Sequence, residues 1–316
     1  MSTIRLFSLL FLFLNPTNAA ALIQNRQNPK GISLSTDNTS IIFDSSVQLD
    51  GVPLRFKISA PASQFTSLTN VPGAASLPNN PGPLGVNVLL HGDGGQSFFD
   101  FPNQKVKNHL GVVLLAPSTN SLWGQRTGQA SGLSRPDGID DAELVRDFVK
   151  EVLPQLVAFN SKDVFFTGVS GGALLLSGFF MPAHLQEFDG AGVLLLCGGM
   201  PPQVEAVEGF EGNTRIHYQS TTNELELLKD SIPEAIRAYE GLALAGGLSE
   251  EKVGRLQTAD NSLEGGHCEF DGEGFVSGIQ FLVDNFEDIM LEGGDGRVNG
   301  VNVLTSVVEN EELRFV

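Results

Sequence analysis

Five short stretches of the chain are largely apolar on consecutive rather than alternate positions: 86–90, 112–116, 163–167, 193–196 and 216–219. A strand that is apolar on both sides has both faces covered, the condition of a parallel sheet with helices above and below it. The segments between these runs have helical period. The clearest, Asp141 to Phe159, puts Leu144, Val145, Phe148, Val152 and Leu156 on one face. Ser231 to Leu242 and Gly274 to Met290 are further helices by the same criterion. Strand–helix alternation of this kind predicts an α/β, doubly wound, mostly parallel sheet with helices on both faces. Two further short strands, Ile41 to Asp44 and Leu54 to Ser59, precede it across a turn at Asp50-Gly51, which makes seven, and a sheet of about eight strands is expected.

No repeat and no linker divides residues 41–290, so one domain is expected there. Residues 60–84 are rich in Pro, Gly, Ser and Asn and read as a loop. Residues 291–316 form a tail, Gly-rich at its start and acidic from Glu309 to Glu312, expected to be peripheral. At the other end, Arg5 precedes an uncharged apolar run, Leu6 to Leu14, and then the small residues Thr17-Asn18-Ala19. This is the pattern of a signal peptide over 1–19, cleaved after Ala19 or Ala21, followed by a polar extension over 20–40. The run is shorter than the roughly 20 residues a bilayer requires. A secreted, extracellular chain with no membrane segment after cleavage is expected. In that compartment Asn38-Thr39-Ser40 is a glycosylation sequon at Asn38.

The 316 residues carry 37 Asp and Glu against 19 Lys and Arg, a net charge of −18. Such a surface repels phosphate backbones, so nucleic acid is excluded as a partner. There is no H-E-x-x-H, no clustered His/Cys spacing, no P-loop and no dinucleotide fingerprint. No metal and no cofactor are therefore expected.

Three local motifs carry chemistry. Gly168-Val169-Ser170-Gly171-Gly172 follows the run 163–167 and precedes the apolar segment Ala173 to Phe180. A G-x-S-x-G string between strand and helix is a nucleophile elbow, which lifts the serine hydroxyl above the sheet edge. His91-Gly92-Asp93-Gly94-Gly95 follows the run 86–90, and there the backbone N–H of Asp93 or Gly94, with that of Gly171, would receive an oxyanion. Gly265-Gly266-His267-Cys268 contains the last of five histidines. In the order serine, acid, histidine, His267 is the histidine late enough to serve as general base to Ser170. The acid should follow the run 216–219, where Glu224 is the first carboxylate, Glu226 its rival and Asp260 a more distant third. The two cysteines, Cys197 and Cys268, lie one at the end of the run 193–196 and one directly after His267. Both positions converge on the serine, so a disulfide between them is expected.

These motifs, with Asp137-Gly138-Ile139-Asp140-Asp141 opening a helix, resemble the secreted polyhydroxybutyrate depolymerases, feruloyl esterases and acetylxylan esterases of carbohydrate esterase family 1. The resemblance covers about residues 40–290. It implies the α/β-hydrolase fold, with strand order 1-2-4-3-5-6-7-8, and a serine carboxylic-ester hydrolase acting on a polyester or on an acyl or phenolic ester of plant cell-wall polysaccharide. The sequence departs from the family at two points: Gly171 stands where Ser-Asn-Gly-Gly has Asn, and the acid strand offers Glu in place of Asp. Similar strings occur in fungal secreted proteins labelled cyclin-like F-box, but an F-box is a short helical module and no segment here fits one. The lone Trp123, in the loop 119–136, either stacks on a sugar or phenolic ring at the substrate rim or anchors the loop by packing. Two other classes share the motifs: a serine peptidase or amidase on the same fold, and a non-catalytic binding protein.

Overall fold

The computed structural model describes residues 31–100, 108–126, 132–207, 214–291, 297–298, 302–303 and 305–306. The leader expected over 1–19 and the acidic run Glu309 to Glu312 lie outside them.

The strands in chain order are β1 (Gly31–Leu34), β2 (Ile41–Leu49), β3 (Val52–Ala60), β4 (Gly85–Leu90), β5 (His109–Leu115), β6 (Val164–Val169), β7 (Gly192–Leu196), β8 (Arg215–Thr221), β9 (Gln257–Leu263), β10 (Arg297–Val298), β11 (Asn302–Val303) and β12 (Thr305–Ser306). Ten of them form one sheet in the order β1-β2-β3-β5-β4-β6-β7-β8-β9-β12. The run from β2 to β9 has the relative order 1-2-4-3-5-6-7-8 of the α/β-hydrolase fold. The pairs among β5, β4, β6, β7, β8 and β9 are parallel. Two antiparallel edge strands extend it: Gly31–Leu34 on β2 and Thr305–Ser306 on β9.

The hairpin of β2 and β3 is longer than its apolar letters suggest. Its buried positions alternate through Phe43, Ser45, Val47 and Leu49, so Asp44 and Ser46 face the other side without ending the strand. Asp50 and Gly51 both have positive φ, 47° and 79°, the two-residue turn whose twist matches antiparallel strands.

The helices are α1 (Gln96–Phe99), α2 (Gly138–Asp147), α3 (Gly171–Leu175), α4 (Glu226–Ala245), α5 (Glu250–Leu256), α6 (Phe275–Asp284) and α7 (Phe286–Met290). α2 continues through a π turn at Phe148–Val152 to Leu153–Leu156, and α3 through a π turn at Leu176–Phe180 to Met181–His184. The sheet is doubly wound. Val193 and Leu195 join the core packed by α2, α3 and α4, whereas Leu194 and Leu196 point the other way, onto Ile279, Leu282, Phe286 and Ile289 of α6 and α7. Alternation across such a strand feeds two cores, which is why the run 193–196 is apolar at consecutive positions. The carboxyl ends of β4, β6, β7 and β8 meet at one edge, where an open α/β sheet places its site.

Candidate active site

Ser170 leaves β6 and opens α3 with φ 49° and ψ −111°. A non-glycine residue in this region is strained by about 1–3 kcal/mol, and surrounding structure must hold it there. Two backbone bonds do so: the Ser170 N–H donates to the Leu196 carbonyl at 2.8 Å, and the Ser170 carbonyl accepts from the Leu174 N–H at 3.0 Å. Gly172 is required by space, because a Cβ there would stand 2.2 Å from the Leu90 carbonyl oxygen of β4. The strained turn sets the serine Oγ at the sheet edge.

His267 comes to that edge on the loop between β9 and α6. Ser170 Oγ–H donates to its Nε2 at 2.9 Å. On the far side of the ring, Nδ1–H donates to Glu224 Oε1. Glu224 lies three residues beyond the end of β8, with its carboxylate fully buried and its Oε1 also accepting the Leu225 N–H at 2.8 Å. The three side chains therefore form one continuous chain of hydrogen bonds: a hydroxyl, a ring that can take its proton, and a buried carboxylate that fixes the ring's tautomer. The other acids stand elsewhere. The Glu226 side chain is 91% exposed in the first turn of α4, paired with Lys229. Asp260 is buried in β9, accepting from Gln219 Nε2 and from the Ser262 N–H and hydroxyl.

The glycine loop after β4 packs directly on the serine, since a Cβ on Gly92 would lie 3.3 Å from Ser170 Cβ. His91 anchors this loop and is remote from proton transfer. It is fully buried, donates from Nδ1 to the Gly92 carbonyl at 2.7 Å, and accepts the Ala116 N–H on Nε2 at 2.9 Å. Accepting on Nε2 requires the neutral ring, and burial pushes its pKa down to about 4. The N–H groups of Asp93 and Gly171 have no acceptor among the described residues, as an oxyanion site requires. Gly94 does not join them: its N–H donates to the Ser121 carbonyl at 3.1 Å, so the expectation that it serves there is corrected. A donor already satisfied by a carbonyl has nothing to offer an oxyanion.

Trp123 is also corrected as a rim residue. It is fully buried, with its ring centroid 5.3 Å from that of His91, and so packs the loop onto the anchor beneath it. The aromatic group beside Ser170 is instead Phe275, at the start of α6, whose Cζ lies 3.6 Å from the point where a Gly92 Cβ would be. The sequence signal for it was available in its place, eight residues after His267 at the entry to the last long helix. Arg135 belongs to no sequence motif. Its side chain is 1% exposed and its Nη2 donates to Asp93 Oδ2 at 2.9 Å. Asn38 is exposed in the turn between β1 and β2, with φ 58°.

Cys197 and Cys268 are bonded to each other, with Cα atoms 5.2 Å apart. Among the described residues the one grouping of metal-type side chains is this pair with His267, and sulfurs joined to each other are not thiolate ligands. Both cysteines have positive φ, 45° and 63°, so the bond holds two residues in a region their side chains disfavour. The bridge spans 71 residues of sequence. Opening a loop of that length costs about 4 kcal/mol in the chain-entropy model. Reduction with dithiothreitol should accordingly lower the denaturation midpoint and, by freeing the His267 loop, slow turnover. Urea melts and rates measured on oxidised and reduced protein check this. An unchanged rate in fully reduced, folded protein would remove the bridge from the active-site argument.

No protein-family model matches the chain, and no curated protein matches it. Among solved structures it is similar to a cold-adapted esterase from an Arctic intertidal metagenomic library, with 14% identity over 80% of this chain and 96% of the other and a TM-score of 0.42. It is similar to the acetyl xylan esterase from Paenibacillus sp. R4, with 14% identity, 80% and 87% coverage and a TM-score of 0.44. It is similar to an arylesterase, with 9% identity, 87% and 91% coverage and a TM-score of 0.45. Sequence and structural agreement are low in all three. The strand order, the turn at Ser170 and the loop carrying His267 are those of an α/β-hydrolase fold.

Proposed function

We propose that the protein is a serine carboxylic-ester hydrolase, with Ser170 as nucleophile, His267 as general base and Glu224 as the acid that orients it. The hydrogen-bond chain Ser170–His267–Glu224 at a strained strand-to-helix turn carries this reading. Ser170 Oγ attacks the ester carbonyl carbon as its proton passes to His267 Nε2. The buried Glu224 carboxylate stabilises the imidazolium, and the N–H groups of Asp93 and Gly171 receive the oxyanion. The tetrahedral species collapses as Nε2 returns the proton to the departing alcohol oxygen, leaving an acyl-serine. Water, deprotonated by His267, then cleaves that ester and restores the serine.

The substrate is an acyl or phenolic ester of plant cell-wall polysaccharide, or a polyester, reached outside the cell after loss of residues 1–19. The leader pattern and the disulfide both favour an oxidising compartment. Phe275 beside the serine, and the exposed Phe99 and Val276 on helices α1 and α6 that touch each other, suit an apolar acyl or aryl group. The test is hydrolysis of p-nitrophenyl acetate set against p-nitroacetanilide and an acyl-peptide panel, with labelling by a fluorophosphonate. Turnover of the ester alone, with one label on Ser170, is expected. Faster cleavage of the amides would make it a peptidase or amidase, and neither turnover nor label would make it a binding protein.

A further inference from the structure

We propose that Asp93 is a specificity residue, whose Oδ1 is a fixed acceptor beside the nucleophile that selects esters bearing a hydrogen-bond donor near the scissile bond and rejects those bearing an anion there. The proposal rests on the reading of Ser170 as nucleophile.

Its basis is an exchange of space between two loops. A Cβ built on Gly171, the residue after Ser170, would stand 1.9 Å from Asp93 Oδ1. The Asp93 carboxylate therefore fills the volume that a side chain at 171 would occupy, and Gly171 admits it. The departure from Ser-Asn-Gly-Gly at this position thus has a structural counterpart: a carboxylate from the preceding glycine loop takes the place of a side chain on the elbow.

The carboxylate is held from behind and open in front. Oδ2 accepts from Arg135 Nη2 at 2.9 Å, and Nη1 of the same guanidinium donates to the carbonyls of Gly132 and Ser134 at 3.3 and 3.2 Å. The Arg135 side chain is 1% exposed, whereas that of Asp93 is 38% exposed. Oδ1 has no hydrogen-bond partner among the described residues. Burial raises the Asp93 carboxyl above the usual carboxylate range, and the Arg135 guanidinium, followed by His267, acts against that rise. Burying the guanidinium carries a desolvation cost, and the result is a negative charge held in place at the surface. Its position over Gly171 is within reach of the carbons next to a bound ester carbonyl. There it would accept from a hydroxyl or an ammonium group and repel a carboxylate.

The experiment uses methyl butanoate, methyl 3-hydroxybutanoate, methyl 3-aminobutanoate and monomethyl succinate, with kcat/KM read by proton release. The oxidised protein should hydrolyse the hydroxy and ammonium esters about 10-fold better than the plain one, and the succinate about 10-fold worse. Asp93→Asn, nearly isosteric, should lower the ammonium-to-succinate ratio about 100-fold, and Asp93→Ala should also abolish the hydroxyl preference. A larger loss for the ammonium ester than for the hydroxy ester would show that charge dominates the selection. Ratios within twofold of the parent in both folded variants would overturn the proposal. So would an unsubstituted protein that takes the succinate as readily as the butanoate, a result needing no variant to fold. Failure to hydrolyse any of the four esters, or p-nitrophenyl acetate, would instead sink the hydrolase reading beneath it.

Discussion

Ser170→Ala is expected to lower ester turnover by roughly 10⁵- to 10⁶-fold while the protein stays folded. The hydroxyl is the only group removed, and its hydrogen-bond partner is His267 Nε2. Among the described residues no other hydroxyl is bonded to that ring, so none of them inherits the proton transfer. The residue's backbone bonds to Leu196 and Leu174 remain, and alanine keeps the Cβ that occupies the strained turn. Stability should therefore change little. What survives is catalysis by the N–H groups of Asp93 and Gly171 acting on water attack, which leaves a small rate over the uncatalysed one. The measurement is kcat on p-nitrophenyl acetate beside far-ultraviolet circular dichroism and loss of fluorophosphonate labelling. A variant that retained activity within a few-fold of the parent would show that Ser170 is not the nucleophile.

The parts of this fold that can be read from the chain are those whose cause is local. Apolar runs such as Val193–Leu196 announce a strand covered on two faces, and the period through Leu144, Phe148 and Val152 announces a helix. β9 could not be read in that way, because Gln257, Thr258 and Asp260 are buried polar residues. Their burial is licensed by partners far along the chain: Gln257 donates to the Tyr239 carbonyl, Thr258 bonds to His217, and Asp260 accepts from Gln219. Polar letters read as exposed until those partners are known. The same limit governs the site. Ser170 and His267 sit in motifs made of their own neighbours. Arg135 has no motif, since its role depends on Asp93, 42 residues earlier. Trp123 shows the limit from the opposite side: an aromatic in a polar loop has the same letters whether it faces substrate or, as here, His91. Gly94 is a third case, its N–H claimed by the carbonyl of Ser121 in another loop.

Glu224→Gln is expected to reduce kcat by about 10⁴-fold, and Glu226→Gln by less than about threefold. The two glutamates are two positions apart and chemically identical, so only their placement separates them. Glu224 precedes α4 in the loop from β8, and its buried carboxylate meets His267 Nδ1. Glu226 begins the helix and points to solvent, where Lys229 is its partner and water screens the pair. Glutamine at 224 keeps the shape of the side chain. Its amide oxygen can still accept from Nδ1–H, but no negative charge remains to stabilise the imidazolium formed when Ser170 gives up its proton. Turned the other way, the amide would donate to Nδ1 and force the proton onto Nε2, where it could no longer receive one from the serine. Either orientation acts on the proton-transfer step, so the loss should appear in kcat with KM little changed. Glu224→Asp should fall between, because it keeps the charge but is one methylene short of the ring. These rates, measured with saturating p-nitrophenyl acetate on folded protein, decide the assignment. A reversed ranking would make Glu226 the acid. Two silent variants would turn attention to Asp260, which would first have to release Gln219 and Ser262 to reach the ring.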